Sequence, residues 1–69
     1  MMNYNKGDLF IGKSEGNSSV ILLVIEDTSW GFKKETLCLY LNFPAAPEKV
    51  GTTDFFNYWA LDNYYHKVE

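Results

Sequence analysis

Residues 20–27 read Val20-Ile21-Leu22-Leu23-Val24-Ile25-Glu26-Asp27. Four of the first six are β-branched, which stiffens χ1 and favours a pleated surface over a helix. The run is also short for a helix, and it is bounded by turn-forming residues on its N-terminal side, so it predicts a strand. Its apolar residues fall on both faces, Val20, Leu22 and Val24 against Ile21, Leu23 and Ile25, because successive strand residues point to opposite sides. The expectation is a central strand covered on both sides, or one bent so that each half meets a different core. The same alternation separates Glu26 from Asp27, so these carboxylates form the solvated end of the strand rather than a paired acid site.

The neighbouring segments extend the pattern. Toward the N-terminus, Ser14-Glu15-Gly16-Asn17-Ser18-Ser19 is dense in turn formers and predicts a loop. Before it, Leu9-Phe10-Ile11 reads as a first strand entered through a Lys6-Gly7-Asp8 turn. Toward the C-terminus, residues 28–35 form a loop with Gly31 at its middle. Residues 36–43 then alternate: Leu37, Leu39, Leu41 and Phe43 share one face, and Thr36, Cys38, Tyr40 and Asn42 the other. Period two over that length marks a half-buried strand. Pro44-Ala45-Ala46-Pro47 ends it, since proline cannot donate to a ladder, and residues 49–53 form a turn around Gly51. A further strand begins at Thr53. After Trp59 the apolar spacing becomes helical through Leu61, Tyr64 or Tyr65, and Val68, which predicts a short helical turn, with Asp62 as its cap, leading into a last strand. The fold class expected is mainly β: a small five-stranded barrel or strongly bent antiparallel sheet, one domain over residues 1–69, with a short helical turn near the C-terminus.

Length limits what this fold can hide. A chain of 69 residues buries only about 60% of the surface its unfolded form exposes. Cys38 is the only cysteine and His66 the only histidine, so neither a disulfide nor the three or four ligands of a zinc site is expected. Twelve aromatic side chains, 17% of the residues, exceed what so small a core can enclose. Phe55, Trp59 and Leu61 are expected inside; Phe56, Tyr58, Tyr64 and Tyr65 are expected outside. Trp30 and Phe32 flank Gly31 in a loop, where Trp30 either plugs one end of the body or meets a partner.

Composition narrows the function classes. Net charge is -3, with six lysines and no arginine, and the only adjacent basic pair, Lys33-Lys34, is followed by Glu35. Nucleic-acid readers carry clustered basic residues, arginine above all, so ordinary nucleic-acid binding is not expected. The longest apolar run is six residues, far short of the roughly 20 that span a bilayer. No basic stretch followed by an apolar one opens the chain, and a lone thiol suits a reducing compartment. The cytoplasm, of a host cell if the chain is viral, is the expected location, with no membrane association.

The layout resembles the small Src-homology-three-like or Tudor-like barrels, and short phage-encoded accessory proteins in particular. Gly7-Asp8-Leu9, the Val24-Ile25-Glu26 strand end and Trp59-Ala60-Leu61-Asp62 carry the resemblance. It departs at residues 44–52, a longer and more proline-rich loop, and the peptide-binding residues of true Src-homology domains are not evident. Lysine without arginine, with many Asn, Tyr, Phe and Ile, agrees with an AT-rich source such as a phage genome. The resemblance implies a small β-barrel fold, and without that peptide-binding signature it carries no ligand binding over to this chain.

Catalysis finds little to start from. His66 could serve as a base only with Asp62 or Glu69 to orient it, and Cys38 lies in mid-strand as a small, semi-buried filler. No glycine spacing forms a phosphate cradle. The expectation is a non-enzyme without cofactor or metal: a protein-interaction module that binds a host or viral protein through Trp30, Phe32, Tyr58, Tyr64 and Tyr65. Two alternatives belong to other classes. One is a structural homo-oligomer or virion subunit that buries its aromatic surface against copies of itself. The other is an acidic mimic of nucleic acid, for which nine acids against six lysines is thin. Stacking of single-stranded nucleic acid on exposed rings ranks equally low.

Overall fold

A computed structural model describes residues 4–68. The chain forms β1 (Leu9–Gly12), β2 (Ile21–Asp27), β3 (Glu35–Asn42), a 3-10 turn (Pro47–Lys49), β4 (Thr53–Asn57), α1 (Tyr58–Tyr64) and β5 (Tyr65–Lys67). All five strands belong to one antiparallel sheet in the order β4-β3-β2-β1-β5. The VILLVIED run is therefore the middle strand. The sheet is strongly bent and does not close into a barrel: β4 and β5 are its free edges, yet the Phe56 and Tyr65 rings of those two edges meet edge-on at 5.9 Å.

One face carries the core. Phe10, Leu22, Val24, Thr36, Cys38 and Tyr40 are buried on it, and Tyr4, Val20 and Leu61 close over them. Phe43, Phe56, Tyr58 and Tyr65 pack partly buried around this cluster. β2 is thus central but is not covered on both sides: Ile21, Leu23 and Ile25 on its second face stay only half-buried.

β3 turns the apparent logic of its sequence around. Its leucine face, Leu37 and Leu39, is half-exposed, while Thr36, Cys38 and Tyr40 are sealed. The reason is what lies above. Tyr4 stacks on Phe10 and Tyr58 at ring separations of 5.4 and 4.5 Å, and α1 drops Leu61 onto the same side. The polar atoms on that face are all paired: Thr36 Oγ1 donates to the Glu26 carbonyl at 2.7 Å and the Tyr40 hydroxyl to Asp54 at 3.2 Å, so their burial carries no unmet hydrogen bond.

Register then decides the rings of β4. Phe56 lies opposite Thr36 and Phe55 opposite Leu37. Phe56, expected outside, therefore turns inward, and Phe55, expected in the core, stands 56% exposed. At Tyr58 the period changes from two to 3.6. Tyr58 and Leu61, three residues apart, face the core, and Trp59 is left 62% exposed against its expected burial. The helix is capped by Asn57, whose side chain accepts from the Ala60 amide at 2.7 Å. Asp62, the expected cap, instead accepts a hydrogen bond from the Tyr4 hydroxyl.

Candidate interaction site

The β2–β3 ladder does not stop at the sheet. Asp27 pairs with Thr36, and in the same register Trp30 pairs with Lys33, exchanging both amide hydrogen bonds at 2.9 Å. Between them Gly31 has a φ of +57° and Phe32 a negative one. A two-residue hairpin loop with glycine first suits the right-handed twist of its flanking strands, and only glycine takes that first position without strain. The expected loop is therefore a structured finger whose tip is Trp30-Gly31-Phe32-Lys33.

The finger is fixed at its base. The Tyr58 hydroxyl donates to the Asp27 carboxylate at 2.6 Å and lies 3.0 Å from Ser29 Oγ. The Tyr58 amide donates to the Lys34 carbonyl at 2.9 Å. Thr28 Oγ1 donates to the Glu35 carbonyl at 3.2 Å, and Lys33 pairs with Glu35 at 3.5 Å. Burial works to raise the Asp27 carboxyl, but the bonds from Tyr58 and Ser29, with Lys34 nearby, outweigh it and hold the group below the usual carboxylate range. Burial and the Asp27 bond push the Tyr58 phenol up.

At the tip, Trp30 is 75% exposed and Phe32 wholly so. Trp30 therefore does not plug the body. Tyr64 is also exposed and packs edge-on against Trp59 at 5.4 Å, forming an outward aromatic pair on α1. Tyr58 and Tyr65 differ from expectation: both are half-buried against the core cluster, Tyr58 as the clamp under the finger and Tyr65 as the ring facing Phe56. Of the five expected partner-binding residues, three present their rings to solvent and two serve the fold.

Sequence reasoning passed over a second surface. The outer face of the bent sheet carries the directly paired row Leu9, Leu23, Leu39 and the pair Leu37–Phe55, and none of these side chains is buried. Its acids, Glu26 beside Leu37 and Glu35 beside Asn57, sit at the finger end. The signal was present in the double-sided apolar run of residues 20–25, but it read equally well as coverage on both faces.

Cys38 is fully buried, and burial with the Asp54 charge nearby pushes its thiol up to about 12. It is neutral and sealed, the opposite of a nucleophile's setting. His66 is exposed on β5, opposite Ile11. Among the described residues no group of three or more His, Cys, Asp or Glu is placed to hold a metal, and no helix is long and apolar enough to cross a membrane. No protein-family model, curated protein or solved structure matches the chain.

Proposed function

We propose that this chain is a non-enzymatic protein-interaction module whose binding element is the β2–β3 finger. The observation that carries the reading is the placement of Trp30 and Phe32, two large apolar rings held in solvent on a hairpin that is hydrogen-bonded at tip and base. Exposed tryptophan and phenylalanine cost solubility and contribute nothing to this core, whereas aromatic anchors on a rigid support supply much of the energy of interfaces at low ordering cost. Binding would act by docking or occlusion. The Trp30 indole N–H would find an acceptor on the partner while its ring is buried. The resemblance to short phage-encoded proteins supports a host or viral protein as that partner.

The test is a paired measurement of fold and binding. Proteins captured from the source cell, or from its host, by the wild-type chain are titrated against Trp30→Ala. The substitution is expected to leave the melting temperature within about a degree or two, because an exposed side chain contributes little to stability. It should weaken binding by more than about 2 kcal/mol. Unfolding of the variant, or unchanged affinity, would end this reading.

A further inference from the structure

Residues 4–8 form a strap ahead of β1, tied to the middle strand. The Gly7 amide donates to the Val24 carbonyl at 2.8 Å, and the Val24 amide to the Asp8 carbonyl at 2.9 Å. Only Tyr4 of this strap is buried. Its ring is wedged between Phe10 and Tyr58, at centroid separations of 5.4 and 4.5 Å, and its hydroxyl donates to Asp62. Tyr58 and Asp62 lie one turn apart on α1, so both contacts fall on the same helix face. Tyr58 is also the side chain that fastens the finger, through Asp27 and Ser29. We infer that Tyr4 is a positioning residue for the finger: its ring sets the ring of Tyr58, and through it the order with which Trp30 and Phe32 are presented. The inference rests on the finger being the binding element and names what controls its rigidity.

The geometry makes Tyr58 dependent on this neighbour. The Tyr58 amide is fixed to the Lys34 carbonyl, so the aim of its hydroxyl is decided by rotation about the side-chain torsions. Among the described residues Tyr4 is the one aromatic ring packed against it. That ring occupies the space into which Tyr58 would otherwise turn. Surroundings relax partly into a vacancy, and a Tyr58 ring that follows a lost neighbour carries its hydroxyl away from Asp27 and Ser29. The bonds at the base of the finger do not hold it alone. Asp27 is exposed, so water competes for its carboxylate, and a hydroxyl aimed in advance by packing keeps the bond at lower ordering cost. The Asp62 contact completes the arrangement, because it anchors the Tyr4 ring to the same helix that carries Tyr58.

Amide hydrogen exchange of the full chain, read residue by residue by NMR, separates positioning from plain core packing and needs no partner. The Trp30 and Lys33 amides pair across the finger and open locally, whereas the amides of the middle strand open only with the whole molecule. A side chain that merely fills the core speeds the second group and leaves the first alone. Tyr4→Leu is expected to speed exchange at Trp30 and Lys33 at least about fivefold, the change that one net hydrogen bond makes. In a Tyr58→Phe background, where the clamp is already gone, the same substitution should add nothing at those two amides. If the leucine chain does not fold, Tyr4→Phe repeats the test. It keeps the ring and loses only the anchor to Asp62, with an expected rise of about twofold, a fraction of one such bond. Finger amides left unchanged, or accelerated equally with and without the Tyr58 hydroxyl, would overturn the inference. Neither result touches the finger's role in binding, which the Trp30→Ala titration scores by itself, and a titration that fails leaves the exchange result standing.

Discussion

Gly12 ends β1, and its amide donates to the Val20 carbonyl at 3.0 Å. A Cβ built there would run into the backbone carbonyl and side chain of Asn17. Asn17 cannot retreat, because Oδ1 takes the Ser14 amide at 3.0 Å and Nδ2 donates to the Tyr64 carbonyl at 3.1 Å, tying the loop to the end of α1. Gly12→Ala is therefore expected to destabilise by about 1–3 kcal/mol through overpacking; urea unfolding with an unchanged m-value would measure it. In sequence Gly12 was one glycine among five, since no local pattern shows that residues five positions apart will meet. Thr36, Cys38 and Tyr40 were opaque for a related reason. Hydropathy ranks the Leu37-Leu39 face as the more apolar side of β3, yet the side that Tyr4 and Leu61 cover is the one that becomes core. The choice depends on contacts made some thirty residues upstream and twenty downstream.

The finger is held by a single side chain from another element, Tyr58 of α1. Removing its hydroxyl should loosen the tip without unfolding the sheet, because the cluster around the Tyr58 ring is apolar and would keep a phenylalanine. Tyr58→Phe is expected to cost about 1 kcal/mol, the size of an ordinary net hydrogen bond, and to speed amide exchange at Trp30 and Lys33 while β1 and β2 stay protected. Its acid behaviour follows from Asp27. That carboxyl sits below its ordinary value of 3.8 in the folded chain, so its contribution is present above that value and fades as pH falls through the lowered one. The variant should lose part of that dependence, since the bonds from Ser29 and the charge of Lys34 remain, and give a flatter acid limb in a thermal titration; an identical limb would show that Asp27 gains nothing from Tyr58. Elements were the most legible part of the sequence. β2, β3, the breaks at Gly31 and Pro44, and the switch from strand to helical turn after β4 were all readable from period and turn chemistry. The rings of residues 55–65 were not, because their placement follows the register of β4 against β3 and the phase of α1, and an error in which face of β3 is buried passes directly to Phe55 and Phe56.

A core on one side of one sheet makes the stability of the whole molecule depend on a few sealed groups, and three of them can ionise. Burial, with the carboxylates of Asp54 or Asp62 adding to it, pushes the Cys38 thiol from 9.0 to about 12 and the Tyr40 phenol from 10.0 to about 12, and raises the Tyr4 phenol as well. Each must stay protonated in the folded chain. The sign follows: these groups contribute fully below their ordinary values, and their contribution is lost as pH rises from about 9 toward about 12. The melting temperature at fixed protein concentration should be nearly flat from pH 6 to 8.5 and then fall steadily. Fixed concentration matters, since any dimer would make the midpoint depend on it. Cys38→Ala removes the first group to ionise. It should start lower, for the small cavity it leaves, but begin its alkaline decline about a pH unit later, when the phenols take over. The onset separates the two effects, because a cavity shifts the curve at every pH and an ionising thiol shifts only its alkaline end. A wild-type midpoint that holds to pH 11 would mean that thiol and phenol reach water freely, and that the face bearing Thr36, Cys38 and Tyr40 is not the one the molecule closes on.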